Sequence, residues 1–141
     1  MLRGEVEHQL DDRARVAIPK AWRQALEHGG FLTRGWYGCL FLLPWGEWLK
    51  IEEKLAQLRI TDMKGDMVRV FFSGGVETWL DGQGRVIIPS PLRQYAGIDK
   101  DVLVRGVMNR IEIWSKERWL AFQAEHFAPE RIMAQAAELD I

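Results

Sequence analysis

Two aspartate–arginine pairs stand at one spacing in this 141-residue sequence: Asp11 with Arg15, and Asp81 with Arg85. An aspartate in a tight turn accepts hydrogen bonds from loop N–H groups. It also reaches an arginine four residues on, which would leave the loop with its direction fixed. A guanidinium held this way suits clamping a phosphate or reading guanine O6 and N7 through two parallel bonds. A lone Asp-x-x-x-Arg is common and ordinarily only stabilises a turn. Here it recurs inside a matched block. Leu10, Asp11, Arg15, Val16, Ile18 and Pro19 reappear as Leu80, Asp81, Arg85, Val86, Ile88 and Pro89, and the same shift pairs Arg23 with Arg93. The recurrence favours a function carried by the arginines. Asp11, Asp81 and the glycine of the second turn, Gly84, are assigned to shaping the loops.

Each loop lies in a locally basic stretch. Arg13, Arg15, Lys20 and Arg23 occur between residues 13 and 26 with no acid among them, and Arg85 and Arg93 do so between 82 and 98. Bulk charge is neutral, at −1 overall. Dedicated nucleic-acid binders are usually basic, so binding would depend on a local patch multiplied by assembly.

The elements that must position these loops repeat as well. Strands are expected over 5–10 and 76–80, each followed by the loop and by a second strand with alternating apolar residues, Val16 and Ile18 or Val86 and Ile88. Proline then ends the strand and opens a short helix, with Ser90 as N-cap in the second copy. Gly29 and Gly97 mark the helix ends. Hairpins follow, one flanking the loop 35–38 and the other the loop 106–109. Longer helices close each copy over 47–58 and 116–127. Their apolar faces carry Trp48, Ile51, Leu55 and Leu58 in one, and Trp119, Leu120, Phe122 and Phe127 in the other. A linker is expected over 59–65, a short helix over 66–72 stopped by Gly74 and Gly75, and a last helix over 129–139. The reading is thus a first repeat at 1–58, a linker with a short helix at 59–75, and a second repeat at 76–141. So small a module is marginal alone because it buries too little of its surface, so the two should lean on each other or on other subunits.

Other chemistries find no site. His8, His28 and His126 do not cluster, and no metal spacing arises with the single cysteine, Cys39. No nucleophile stands in a catalytic setting, and no phosphate-binding glycine motif is present. Glu52 and Glu53 read as a solvated helix face. The tryptophans at 45, 48, 114 and 119 read as core, and Trp22 and Trp36 as candidates for subunit contacts. No targeting signal opens the chain, and the run 39–43 is far too short for a bilayer. The expectation is a soluble cytoplasmic protein, with no catalytic residues, cofactor, metal, membrane or small-molecule substrate.

The doubled block Leu-Asp-x-x-x-Arg-Val-x-Ile-Pro resembles the MraZ family of bacterial transcriptional regulators. So do Arg3-Gly4, the segment Leu42-Leu43-Pro44 with Glu47-Trp48, and Leu92-Arg93-Gln94-Tyr95-Ala96-Gly97. The likeness runs over essentially the whole chain. It implies an α+β fold: the swapped-hairpin β-barrel of AbrB-like proteins, here a pseudo-dimer within one polypeptide, with peripheral helices. It also implies a ring-shaped homo-oligomer, cytoplasmic and nucleoid-associated, that binds short direct repeats in promoter double-stranded DNA. Such a protein represses the division and cell wall gene cluster, its own operon included. Carried over, the DNA-contacting side chains are Arg15 and Arg85, with Arg13 beside the first; Arg3 and Lys20 complete the basic set. One departure stands out. The family places glycine before the loop arginine, as Gly84 precedes Arg85, but the first copy has Ala14. If that position needs a positive φ, alanine is strained by about 1 kcal/mol or more, and the first loop is expected to differ in shape. Which loop dominates is open. A second reading is an AbrB-like interaction module of the antitoxin or scaffold kind, without DNA binding.

Overall fold

The apolar run Cys39–Leu43 lacks polar alternation, the pattern of a strand covered on both faces. In the computed structural model, which describes residues 1–59, 61 and 65–141, this run leads into strand β4 (Leu40–Pro44) within a six-stranded antiparallel sheet. The other strands of that sheet are β1 (Leu2–Gln9), β3 (Gly30–Arg34), β5 (Val76–Thr78), β7 (Asp101–Met108) and β8 (Arg110–Ser115). Their spatial order is β1-β7-β8-β4-β3-β5. Strands β2 (Arg15–Ala17) and β6 (Arg85–Ile87) pair with each other in a separate ribbon.

The opening strands are exchanged between the halves. β1 lies along β7 for its whole length, from Leu2 opposite Met108 to Gln9 opposite Asp101. β5 lies along β3. Each repeat therefore lends its first strand to the hairpin of the other. β4 and β8 join the halves with Phe41 opposite Glu112, and the ribbon joins them again with Val16 opposite Val86. In each pair the two residues are equivalent positions of the repeat, so a pseudo-two-fold axis passes through both. The main-chain bonds obey it: Ile18 N–H donates to the Gly84 carbonyl, and Ile88 N–H to the Ala14 carbonyl, both at 2.9 Å.

The strands do not close into the expected barrel. Among the described residues the sheet is open, with β1 and β5 at its edges. The cause is local. The Asp11 and Asp81 loops turn the chain out of the sheet, and the three-residue strands that follow spend their ladder bonds on one another.

The sheet has a core on each face. Leu32, Leu40, Leu42, Val102, Val104, Ile111 and Ile113 point to one side, against Val16, Ile18, Val86 and Ile88 from the ribbon. Trp22, Leu26, Leu92 and Ala96 seal the same core from two short helices, a 3₁₀ segment at Lys20–Leu26 and α3 (Ser90–Ala96). On the opposite face Phe31, Phe41, Leu43, Leu103 and Trp114 meet Trp48 and Trp119. These come from α1 (Trp45–Leu55) and α4 (Lys116–His126). The Phe31 ring stacks on Trp48 at 3.8 Å. α2 (Gly65–Met67) continues into a wider-wound turn, Val68–Phe72, which docks on the first hairpin: Arg34 donates to the Val70 carbonyl at 2.8 Å. A side chain on Gly75 would overlap the Phe31 ring, so this turn needs glycine.

Several boundaries differ from the sequence expectation. Pro89, not Ser90, occupies the N-cap of α3, and Ser90 is its first helical residue. Leu120 and Phe127 are exposed. Leu120 adjoins Trp119 in sequence and so lies about 100° around the helix from it, whereas Phe122 stays on the buried face. The second hairpin has no four-residue loop. Pairing with β1 and β8 keeps residues 106 and 107 extended, and the turn tightens to Met108-Asn109 with Met108 at φ 62°. Of the linker expected over 59–65, residues 60 and 62–64 lie outside the described residues. α5 (Pro129–Glu138) ends the chain's regular structure. No helix among the described residues is long and apolar enough to cross a membrane.

Leu42 is fully buried beside the axis. Leu42→Ala should cost about 2–5 kcal/mol in urea denaturation, while Leu120→Ala should stay within about 0.5 kcal/mol. Equal effects would contradict the assigned faces.

Candidate nucleic-acid interface

A short turn leaves its N–H groups pointing inward, and an aspartate at its first position satisfies them. In the first loop Asp11 Oδ1 accepts from the N–H groups of Arg13 and Arg15, each at 2.9 Å, and Oδ2 accepts from Arg15 Nε at 2.8 Å. The second loop repeats the pattern. Asp81 Oδ1 accepts from Gln83 and Arg85 N–H at 2.9 Å, and Oδ2 from Arg85 Nε at 3.0 Å. Main-chain bonds close both turns alike, from Ala14 N–H to the Asp11 carbonyl and from Gly84 N–H to the Asp81 carbonyl.

The β2–β6 pairing sets the loops side by side, and the pairs cross the axis. Arg85 Nη1 lies 3.5 Å from Asp11 Oδ2, and Arg15 Nη1 lies 3.7 Å from Asp81 Oδ2. Two carboxylates and two guanidiniums thus form one neutral ring at the surface. The backbone N–H of Arg15, joined by that of Arg13 and by the Arg15 side chain, holds the Asp11 carboxyl below its ordinary value against the opposing effect of desolvation. Asp81 is lowered in the same way, first by the Arg85 N–H.

Ala14 adopts φ 57° and Gly84 φ 75°. The first loop does not differ in shape as the alanine suggested. It makes the same bonds as the second and absorbs the left-handed strain, about 1 kcal/mol or more. The Arg23 guanidinium packs over Gly84, where an added side chain would make it shift. Arg23 Nε donates to the Ile18 carbonyl at 3.0 Å, and Arg93 donates to the Ile88 carbonyl at the equivalent place. These two arginines buttress the strands behind the loops. The shared shift marked them as a pair, but their role appears only in three dimensions.

The structure gathers Asp11, Arg15, Asp81 and Arg85, with Arg13 and Gly84 in the same two loops. Arg13 is exposed at the tip of the first, and Lys20 is exposed at the start of the 3₁₀ segment. Arg3 is not gathered with them. It sits opposite Val107 on β1, eight residues before Asp11 and roughly 25 Å along an extended strand. The ring itself is neutral and the exposed Asp12 offsets Arg13 beside it, so excess positive charge around the loops comes from Lys20 and from Arg23 and Arg93 behind them. Trp22 is buried, whereas Trp36 is partly exposed and meets Phe41 and Phe71 edge-on.

Comparison with known proteins places this repeat in a family. The family described as "MraZ protein, putative antitoxin-like" matches residues 1–70 and again residues 71–140. A protein named "Transcriptional regulator MraZ" from Clostridium acetobutylicum is 43% identical over 142 residues, covering all of both chains. One of the same name from Natranaerobius thermophilus is 42% identical, again over the full length of both. Another from Thermus thermophilus is 46% identical over 82% of this chain and 83% of its own.

Ala14→Gly should raise the melting temperature, with a gain of up to about 1 kcal/mol as left-handed strain is relieved. Gly84→Ala should lose about 1 kcal/mol, since it brings the same left-handed strain into the second loop. Opposite signs would refute the loop geometry. Acid is the second probe. The folded pKa of Asp11 and Asp81 lies below the ordinary 3.8, so their stabilisation is complete above that value and drains away as pH falls through the lower, folded pKa. Unfolding experiments should show Asp11→Asn/Asp81→Asn losing less stability than the parent chain between pH 5 and pH 2, a window of about three units spanning the ordinary carboxylate range.

Proposed function

This chain belongs to the MraZ family, and on that premise we propose that it is a non-enzymatic, sequence-specific DNA-binding transcriptional regulator. The observation that carries the reading is the paired loop. Two arginines, held by two aspartates across a pseudo-two-fold axis, stand at the end of a two-stranded ribbon. Such a ribbon is one of the few elements a major groove admits. Each guanidinium turns Nε and Nη1 to the carboxylates. Its Nη2 is turned away from them and can meet a phosphate or a base, already oriented, so little side-chain entropy is lost on binding. Lys20 adds positive charge beside the ring, and Arg23 and Arg93 add it behind the loops.

The finer reading follows the family resemblance. The exchange of β1 and β5 supports two interlocked AbrB-like repeats, taken as residues 1–58 and 76–141 with 59–75 joining them. A neutral chain binds DNA weakly through one loop pair. Assembly into a ring on short direct repeats would multiply that affinity by avidity. On this reading the protein is cytoplasmic, associates with the nucleoid, and represses the division and cell wall genes together with its own operon.

A second reading draws on α5. Ile132, Met133 and Leu139 are exposed on or beside it, as an interaction module of antitoxin type without DNA binding would require.

Gel-shift titration against the DNA upstream of the chain's own gene separates the two readings. Affinity should fall linearly in log–log form with rising salt. Arg15→Ala and Arg85→Ala should each weaken binding about tenfold or more and leave the fold intact, because surface ion pairs of this kind contribute only about 0–1 kcal/mol. Parental affinity in both variants would defeat the loop assignment, and no shift by the parent chain would favour the interaction module.

A further inference from the structure

A protein with strict two-fold symmetry reads an inverted repeat, because equivalent side chains meet equivalent bases on the two strands. The axis through Val16 and Val86 brings the two loops close to that condition. Their hydrogen bonds match bond for bond, and so do their crossed ion pairs. The position two residues after each aspartate breaks the match. It is Arg13 in one loop and Gln83 in the other. Each has its N–H tied to the aspartate Oδ1 at 2.9 Å, so the two main chains are fixed alike. Both residues are exposed. Neither is needed to build its loop, since only the backbone of that position is used.

We infer that Arg13 and Gln83 are a specificity-determining pair that gives each protein molecule a direction on DNA. The inference rests on the DNA-binding reading above and deepens it. Arginine matches guanine O6 and N7, whereas glutamine matches adenine N6 and N7. With Arg15 and Arg85 supplying the same contacts on both sides, the two loop tips ask for different bases. The preferred duplex carries a G·C pair under the first loop and an A·T pair under the second. It is therefore not an inverted repeat. The neighbouring position adds to the asymmetry, since Asp12 in the first loop faces solvent where the second has Gly82.

The test is selection of bound duplexes from a random library by the full-length protein, followed by titration of the enriched sequences. Parent, Gln83→Arg and Arg13→Gln are compared. Both substitutions fall on exposed side chains, and circular dichroism checks that the fold is kept. The parent should enrich a motif with unlike ends. Gln83→Arg should turn the A·T end to G·C, and Arg13→Gln the G·C end to A·T, each making the motif more nearly an inverted repeat. The preference at the altered position should change by about tenfold or more, with positions facing Arg15 and Arg85 unchanged. An unaltered motif in both variants, or an inverted repeat already in the parent, would overturn the inference while DNA binding stood. If the parent enriches no sequence, the DNA-binding reading itself falls, and the inference with it.

Discussion

The antiparallel pairing of β2 with β6 about Val16 and Val86 is the contact on which the rest of the site depends. It forces equivalent backbone atoms of the two halves into reciprocal bonds and fixes the distance between the loops. Once the loops are adjacent, each aspartate serves its own turn and the arginine of the other. Charge then cancels locally. The cancellation, with the loop N–H bonds, offsets the desolvation that opposes charge on the two aspartates where four ionised groups gather at one surface point. It also means that the ring orients side chains more than it attracts an anion.

The loop chemistry was legible in the sequence because it is written twice. Asp11, Arg15, Asp81 and Arg85 follow from the matched block, and the hairpin strands and both tryptophan-bearing helices from the same order of features in each half. Partners were not legible. The sequence reads a strand over 5–10 but does not say that this strand, observed at Leu2–Gln9, pairs with 101–108, since the pattern of one strand names a face and never a neighbour. The crossed contacts Arg85–Asp11 and Arg15–Asp81 were hidden for the same reason, and so was the open sheet. Single-residue errors had simpler causes. Ser90 is a good N-cap by type, but Pro89 before it already has the extended backbone a cap needs. Leu120 is apolar but lies off the face that Trp119 defines.

Duplication within one chain also frees each half to depart from the other. Ala14 bears a strain that Gly84 avoids. The 3₁₀ segment after Pro19 stands where the second half has an α-helix, and Arg23 lies over a glycine. A homodimer would have to accept every such change twice. A single polypeptide can place it on one side of the axis only.

The exchanged strand β1 has a consequence for the order of events during synthesis. Its partner β7 lies about a hundred residues downstream, which at ordinary elongation rates of roughly 5–20 residues per second means a wait of about 5–20 s before β7 leaves the ribosome. Until then β1 has no edge to join, and the hairpin β3–β4 waits in turn for β5. The amino-terminal half is therefore no independent folding unit. Contacts this distant in sequence make for slow folding, and an unpaired strand edge in the interval invites pairing with another nascent chain. The chain that carries both halves of its own dimer becomes native only when its last strands arrive.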